Sequence, residues 1–244
     1  GTFEVVQVAD GRVLASGNAS PILVTLDANT DITSFEIFVR NLNEPNCVSE
    51  TTTISSFDCT PPDCVNEGDL VITEIMQNPS AVNDDLGEWF EIHNTTSDTI
   101  NLKGYVIRDA DGESHRIGTD LLIDSLGYVV LARNADFTTN GNFIADYEYG
   151  NDIQLTNTSD EIIIECMGVI IDSVGYNETF FPDPTGASMN LNPNKLNAID
   201  NDSGANWCEG RASYGLGDLG TPGRANTFCP PCSITIRDIE NEEC

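Results

Sequence analysis

The stretch DLVITEIMQNPSAVNDDLGEWFEIHN, residues 69–94, decides how the chain folds. Its first eight residues, 69–76, are rich in aliphatic and β-branched side chains and predict a strand. A polar loop with Asn83, Asp84 and Asp85 follows. EWFEIHN, 88–94, sets aromatic and aliphatic residues among acids and predicts a second strand. Working outward, 99–102 and 105–108 flank Lys103 and Gly104, and Asp109 to Gly112 reads as a hairpin turn with 114–117 returning. Segments 127–132, 160–166 and 169–174 continue the series, and GLGDLGTPGRAN, 215–226, reads as loop. Strands recurring every ~8–12 residues between turn signals predict an all-β sandwich. No stretch sustains helical spacing.

Upstream, 2–8 and 12–15 read as a hairpin about Asp10 and Gly11, and 21–26, 34–40 and 48–56 read as further strands. The link CTPPDC, 59–64, is stiffened by proline and marks a boundary. A second link, FCPPC at 228–232, resembles it. Only SITIRDIENEEC, 233–244, follows, which is too short to bury a core of its own. The expected organisation is therefore 1–63, 66–228 and 229–244.

The 244 residues carry 10 Lys and Arg against 40 Asp and Glu, a net charge of −30. Such a field repels phosphate backbones, which argues against nucleic acid as a partner. No apolar run reaches the ~18 residues that span a bilayer. The longest candidates, 121–132 and 161–171, are broken by Asp124, Ser125, Glu165 and Cys166. The acids are scattered rather than blocked, so they read as a solvated surface of an ordered protein, with calcium binding, salt tolerance and solubility as the roles they could serve.

The eight cysteines are Cys47, Cys59, Cys64, Cys166, Cys208, Cys229, Cys232 and Cys244. Zinc favours paired CxxC knuckles, and only one such pair, Cys229 with Cys232, is present; His93 and His115 lie far from it. No βαβ pattern surrounds it to suggest a redox motif. Structural disulfides in an oxidising compartment are the better reading. No signal peptide is visible, so a secreted protein would be represented here as a mature piece.

The middle of the chain resembles the lamin tail domain, in the form found in secreted bacterial proteins. VITEIM (71–76), EWFEIHN (88–94), NLKGYVIRDADGES (101–114), GYVVLARN (127–134), DEIIIECMGVIIDSVGY (160–176), ASMNL (187–191), NWC (206–208) and GDLGTPGRAN (217–226) carry the resemblance. It covers about 66–228 and implies an immunoglobulin-like β-sandwich with no catalytic activity. GTFEV (1–5) and FEIFVRNLNEPNCVSETTTI (35–54) look like the small immunoglobulin-like repeats of bacterial surface adhesins, including gliding-motility adhesins, and 233–244 looks like the start of such a repeat. The ends would then complement each other, making the sequence one period of a longer repetitive chain. Within this resemblance Cys166 is expected to pair with Cys208. Cys47 is a candidate for a bond to the equivalent of Cys244 in a neighbouring copy, and Cys64 and Cys229 bracket the sandwich. Sequence leaves the remaining connectivity open.

Three side-chain groups invite chemistry. Glu88, Glu91 and His93 could ligate a metal or exchange protons, but alternation along the strand favours acids on a solvated face with Trp89 on the other. Asp109 and Asp111 suit a turn. Asn197, Asp200 and Asp202 form an oxygen-rich loop and are the candidate calcium ligands, although the loop lacks the last glutamate of an EF-hand. Asn83 to Asp85 and Asp27, Asn29 and Asp31 are similar clusters. N-x-S/T sequons at Asn18, Asn94, Asn157, Asn177 and Asn201 make glycan a candidate partner. No nucleophile elbow, P-loop or zincin motif is present, so catalysis is not expected. The sequence thus points to a structural or adhesive module of an extracellular surface protein or filament, partnered by other copies or neighbouring modules. The alternative is a carbohydrate- or surface-binding accessory module of a secreted hydrolase, which a row of exposed aromatics would mark.

Overall fold

A computed structural model describes residues 2–9, 11–18, 34–55 and 62–230. The expected strand at 21–26, the cluster at Asp27, Asn29 and Asp31, Cys59, Cys232, Cys244 and the whole of 233–244 lie outside these residues. The chain divides into two compact units, Gly1–Pro61 and Pro62–Cys244.

The first unit contributes β1 (Phe3–Gln7), β2 (Val13–Gly17), β3 (Ser34–Asn41), β4 (Glu44–Val48) and β5 (Thr52–Ser55). They form one antiparallel sheet in the order β2-β1-β3-β4, with β5 also on β3. Gly11, at φ +69°, supplies the left-handed residue that the β1–β2 turn needs. The single strand expected over 48–56 is instead two. Ser49 Oγ accepts the Val39 N–H at 2.8 Å and donates to the Glu50 carbonyl, which interrupts the ladder between β4 and β5. Arg40 and Glu4 face each other across β3 and β1 and pair at 2.7 Å. Among the described residues of this unit, Val5 and Val6 are the buried apolar side chains.

The second unit carries β6 (Leu70–Met76), a helical turn α1 (Asp84–Gly87), β7 (Trp89–Asn94), β8 (Ile100–Asn101), β9 (Val106–Arg108), β10 (Ser114–Arg116), β11 (Leu122–Ile123) and β12 (Tyr128–Ala132). They are followed by β13 (Tyr147–Glu148), β14 (Ser159–Cys166), β15 (Val169–Asn177), β16 (Met189–Leu191) and β17 (Trp207–Glu209). Two sheets face each other: six strands in the order β13-β12-β7-β6-β16-β17, and four in the order β10-β9-β14-β15. Between them Leu70, Ile72, Phe90, Ile92, Ile164 and Val174 pack into one core. This is the expected all-β, immunoglobulin-like sandwich. The stretch 215–226 contains no strand, as its glycines and Pro222 predict. Strand β13 pairs in parallel with β12 over only two residues, and no sequence signal marks it.

The six-stranded sheet is covered on both faces. The face turned from the main core holds Met76, Trp89, Val130, Ala132 and Phe143, with Tyr214 packed against them. Trp89 Nε1 donates to Tyr214 Oη at 3.0 Å. The chain from 210 to 221 lies against this face, tied by Gly210 N–H to Ser188 O (2.8 Å), Ser188 N–H to Leu219 O (2.8 Å) and Gly220 N–H to Ala212 O (2.7 Å).

The disulfides correct the expected pairing. Cys166 bonds Cys64, and Cys208 bonds Cys229. Cys166 ends β14 in the four-stranded sheet, whereas Cys208 lies in β17 at the edge of the six-stranded one. Each instead meets the cysteine beside it at the entry or exit of the unit. Cys47 is exposed and unbonded.

Candidate functional site

The expectation of a solvated face at Glu88, Glu91 and His93 fails. All three are buried, Glu88 and Glu91 wholly so. Alternation places Glu91 and His93 on the same face as Trp89, and that face lies under the 210–226 segment. The sequence pattern could not show that a loop ~130 residues downstream would cover it.

In register, Asn190 of β16 lies opposite Glu74 of β6, and Glu74 lies opposite Glu91 of β7. These three side chains form a buried polar row. Glu74 Oε1 accepts from Thr221 N–H at 2.7 Å, and its Oε2 lies 2.8 Å from Thr221 Oγ1. Glu91 accepts from Thr73 Oγ1 at 2.8 Å, Gly223 N–H at 2.8 Å and Arg224 N–H at 3.2 Å. Asn226 Nδ2 donates to the carbonyls of Thr73 (2.7 Å) and Leu191 (3.0 Å). A loop without regular structure thus has its amides met by carboxylates of the sheet beneath it, and its Asn226 in turn meets carbonyls of the sheet strands. Desolvation lifts the Glu74 carboxyl to about 7, and it lifts Glu91 well above the ordinary range with help from the facing Glu74 charge. Gly210 and Gly220 wall the row. A β-carbon at Gly220 would come within 2.7 Å of Glu74 Oε1, and one at Gly210 within 2.6 Å of Ser188 Oγ.

Glu88 is a second buried acid. Its Oε2 accepts from Arg133 Nη1 at 3.0 Å and from Leu155 N–H at 3.2 Å. Burial nevertheless lifts it to about 7. His93 Nδ1 donates to the Gly127 carbonyl at 2.9 Å. An oxygen there requires Nδ1 to carry hydrogen, and burial lowers the ring's affinity for a second proton. The ring stacks on Tyr128 at 4.3 Å.

The turn reading of Asp109 holds. Its Oδ1 accepts from the amides of Asp111, Gly112 and Glu113 at 2.7–3.0 Å. In the candidate calcium loop, Asn197 Oδ1 accepts from Ile199 and Asp200 amides, and its Nδ2 donates to Asp200 at 2.8 Å. Lys195 lies 3.3 Å from Asp200, and Asp202 is exposed. Among the described residues no group of three or more histidine, cysteine and carboxylate side chains converges as a metal site would require. Of the sequons, Asn94 and Asn201 are buried, each bonded to backbone carbonyls, and present no side chain to a glycan.

One cluster escaped sequence reasoning. His115 Nδ1 lies 2.7 Å from Asp152 Oδ2, and its Nε2 lies 2.8 Å from Tyr147 Oη. The carboxylate fixes the Nδ1–H tautomer, so the phenol donates to Nε2, and its oxygen accepts Gly118 N–H at 3.3 Å. An acid, an imidazole and a phenol in line can pass a proton. Here both ring nitrogens are occupied, and the cluster pins β10 of one sheet to β13 of the other. None of the three lines either of two surface clefts. One, of about 590 Å³, is bounded by Ser80, Asn83, Asp84, Asp85, Arg133 and Gln154. The other, of about 480 Å³, is bounded by Asp109, Asp111, Glu113, Asp160 and Glu161. The pairing is invisible in sequence because 32 residues separate His115 from Tyr147.

Trp89 and Trp207 are buried, and Trp207 Nε1 donates to the Asn201 carbonyl at 2.7 Å. Neither belongs to an exposed aromatic row. No helix of the described residues is long and apolar enough to cross a membrane.

Comparison with known proteins agrees with this architecture. Residues 65–178 match the family described as Lamin Tail Domain, a family of non-catalytic immunoglobulin-like domains. No curated protein and no solved structure matches the chain. The second unit of this chain is built on a lamin tail domain.

Proposed function

We propose that the chain is a non-catalytic structural and adhesive module of a bacterial extracellular surface protein or filament. In this reading it is one period of a repetitive chain, with residues 229–244 opening a further repeat like the one that 1–63 completes. Its partners are other copies or neighbouring modules. The observation that carries the reading is the use made of buried polar groups. Glu74, Glu91 and Asn226 serve backbone amides and carbonyls of the chain itself, Asn190 bonds the side chains of Thr221 and Asn226, and together they hold a loop onto a sheet. The lamin tail match and the two disulfides, which suit an oxidising compartment, support it. The exposed thiol of Cys47 is compatible with a bond to a second copy.

The test is mass spectrometry of the intact protein from its native cells, with protease shaving of the surface and non-reducing electrophoresis. A long array released by shaving, with Cys47 in an intermolecular bond, is the expected result. A catalytic domain adjoining this segment in the same polypeptide would overturn the structural role in favour of an accessory one.

A further inference from the structure

The buried row beneath residues 219–226 contains more hydrogen-bond acceptors than its hydroxyls have protons. Ser188 Oγ lies 2.5 Å from Glu74 Oε1 and 2.6 Å from Asn190 Oδ1. Thr221 Oγ1 lies 2.8 Å from Glu74 Oε2 and 2.7 Å from Asn226 Oδ1. Neither amide can be turned to supply the missing hydrogen. Asn226 Nδ2 is held by two backbone carbonyls, those of Thr73 and Leu191. Asn190 Nδ2 donates to Asn226 Oδ1 at 3.1 Å and to Thr221 Oγ1 at 3.2 Å, which leaves its Oδ1 facing Ser188. Four short oxygen–oxygen contacts are therefore served by two hydroxyls, each with one proton.

A carboxyl proton on Glu74 supplies the third. Given through Oε1 to Ser188, it frees the serine hydroxyl to donate to Asn190. Both short contacts of Ser188 then hold a hydrogen, which one serine proton cannot achieve. Of the four contacts only Thr221–Asn226 lacks one, and there Asn226 Oδ1 receives Asn190 Nδ2 instead. Glu91 is in the opposite position. Its two oxygens receive one hydroxyl and two backbone amides, donors enough for a carboxylate. We propose that Glu74 is a carboxylic acid and Glu91 a carboxylate in the folded protein. The Glu74 proton is the pin of a latch that closes 219–226 over the sheet and loosens as the medium becomes less acidic.

The groups that face Glu74 fit this division. Glu91 on β7 repels a second negative charge. Arg224 on the loop favours one but is exposed to water, and Tyr214 is uncharged. On β16 the facing side chain is the neutral Asn190. Burial raises both carboxyls, and the Glu74 charge that raises Glu91 further vanishes once Glu74 is protonated. It is the count of donors that assigns the proton to Glu74. The latch bears on the last described stretch before Cys229, so acidity sets how firmly the exit of the second unit is held.

Carbon-detected NMR of the Glu74 Cδ in the unmodified chain tests the assignment directly. The acid form should persist to about pH 7, and a carboxylate signal at pH 6 would overturn it. Hydrogen exchange of the Thr221, Gly223 and Arg224 amides, expressed as protection, tests the latch. A proton held more tightly closed than open makes the opening equilibrium climb about tenfold per pH unit between pH 5 and 7. Glu74→Gln keeps a neutral donor in place and should remove one such tenfold-per-unit step from the slope while retaining the protection seen at pH 6. Loss of that protection in the Gln variant, as in Glu74→Ala, or an unchanged slope, would overturn the proposal.

Discussion

The two faces of the six-stranded sheet are both buried, by opposite chemistry. One presents Leu70, Ile72, Phe90 and Ile92 to the four-stranded sheet and excludes water by apolar packing. The other, beside an apolar patch around Trp89, presents Glu74, Glu91 and Asn190 to a loop and there excludes water by matching hydrogen bonds. The difference follows from what lies opposite. A second sheet has its own backbone bonds closed and offers only side chains. A loop brings unpaired amides and carbonyls that a sheet of leucines would leave orphaned. The first face tolerates shape errors poorly, and the second tolerates errors of proton and donor count poorly.

Substitutions can separate the two. Phe90→Ala, which empties a buried site stacked on Tyr149, should cost about 3–5 kcal/mol in a denaturant titration. A smaller loss would mean the apolar face is less tightly packed than its burial indicates. The Cys208–Cys229 bond closes a 21-residue separation, and its removal in a Cys208→Ser, Cys229→Ser chain should cost about 3 kcal/mol against the unreduced parent in a denaturant titration. Asn226→Ala leaves the carbonyls of Thr73 and Leu191 unpaired under the loop and should cost about 1–3 kcal/mol. Its effect should be confined to the polar face, so amide exchange in β9 and β14 should be unchanged.

Acidity should act through the buried acids, on the polar face and elsewhere in the second unit. Glu74 and Glu88 are raised to about 7, and so is buried Asp172, which accepts from Ile72 N–H and Asn201. The folded chain holds protons that the unfolded chain, with ordinary carboxyls, would release. This contribution is full below about pH 4.5 and is lost as pH rises through about 7. The melting temperature should therefore be higher at pH 5 than at pH 8, and a scan showing the reverse would contradict the burial of these acids. Least of all, Arg108→Ala, which removes the half-exposed pair with Glu165 on the four-stranded sheet, should change stability by about 0.2–1 kcal/mol.

Most of the sandwich was legible in the sequence. Strands β6, β7, β12, β14 and β15 lie where aliphatic and β-branched runs place them, because those runs report burial directly. The two-residue strands β8, β11 and β13 carry no such run and owe their pairing to neighbours. The buried acids were misread for a related reason. A carboxylate in a strand reads as solvent-facing until the loop that needs it is known, and here the two are separated by 132–147 residues. Cysteine pairing failed in the same way, since proximity of unit entry and strand end is a property of the closed fold.

The two disulfides have a consequence under load. A pull entering at Cys64 passes through its bond to Cys166 and leaves through Cys208 and Cys229. The polypeptide between Cys64 and Cys166, most of the sandwich, is bypassed and cannot lengthen. Between the two bonds only about 40 residues can be drawn out, at ~3.4 Å each roughly 140 Å. A unit wired in this way yields a bounded extension taken from β15 and β16, while β6 to β14 are sheltered from the tension that crosses it.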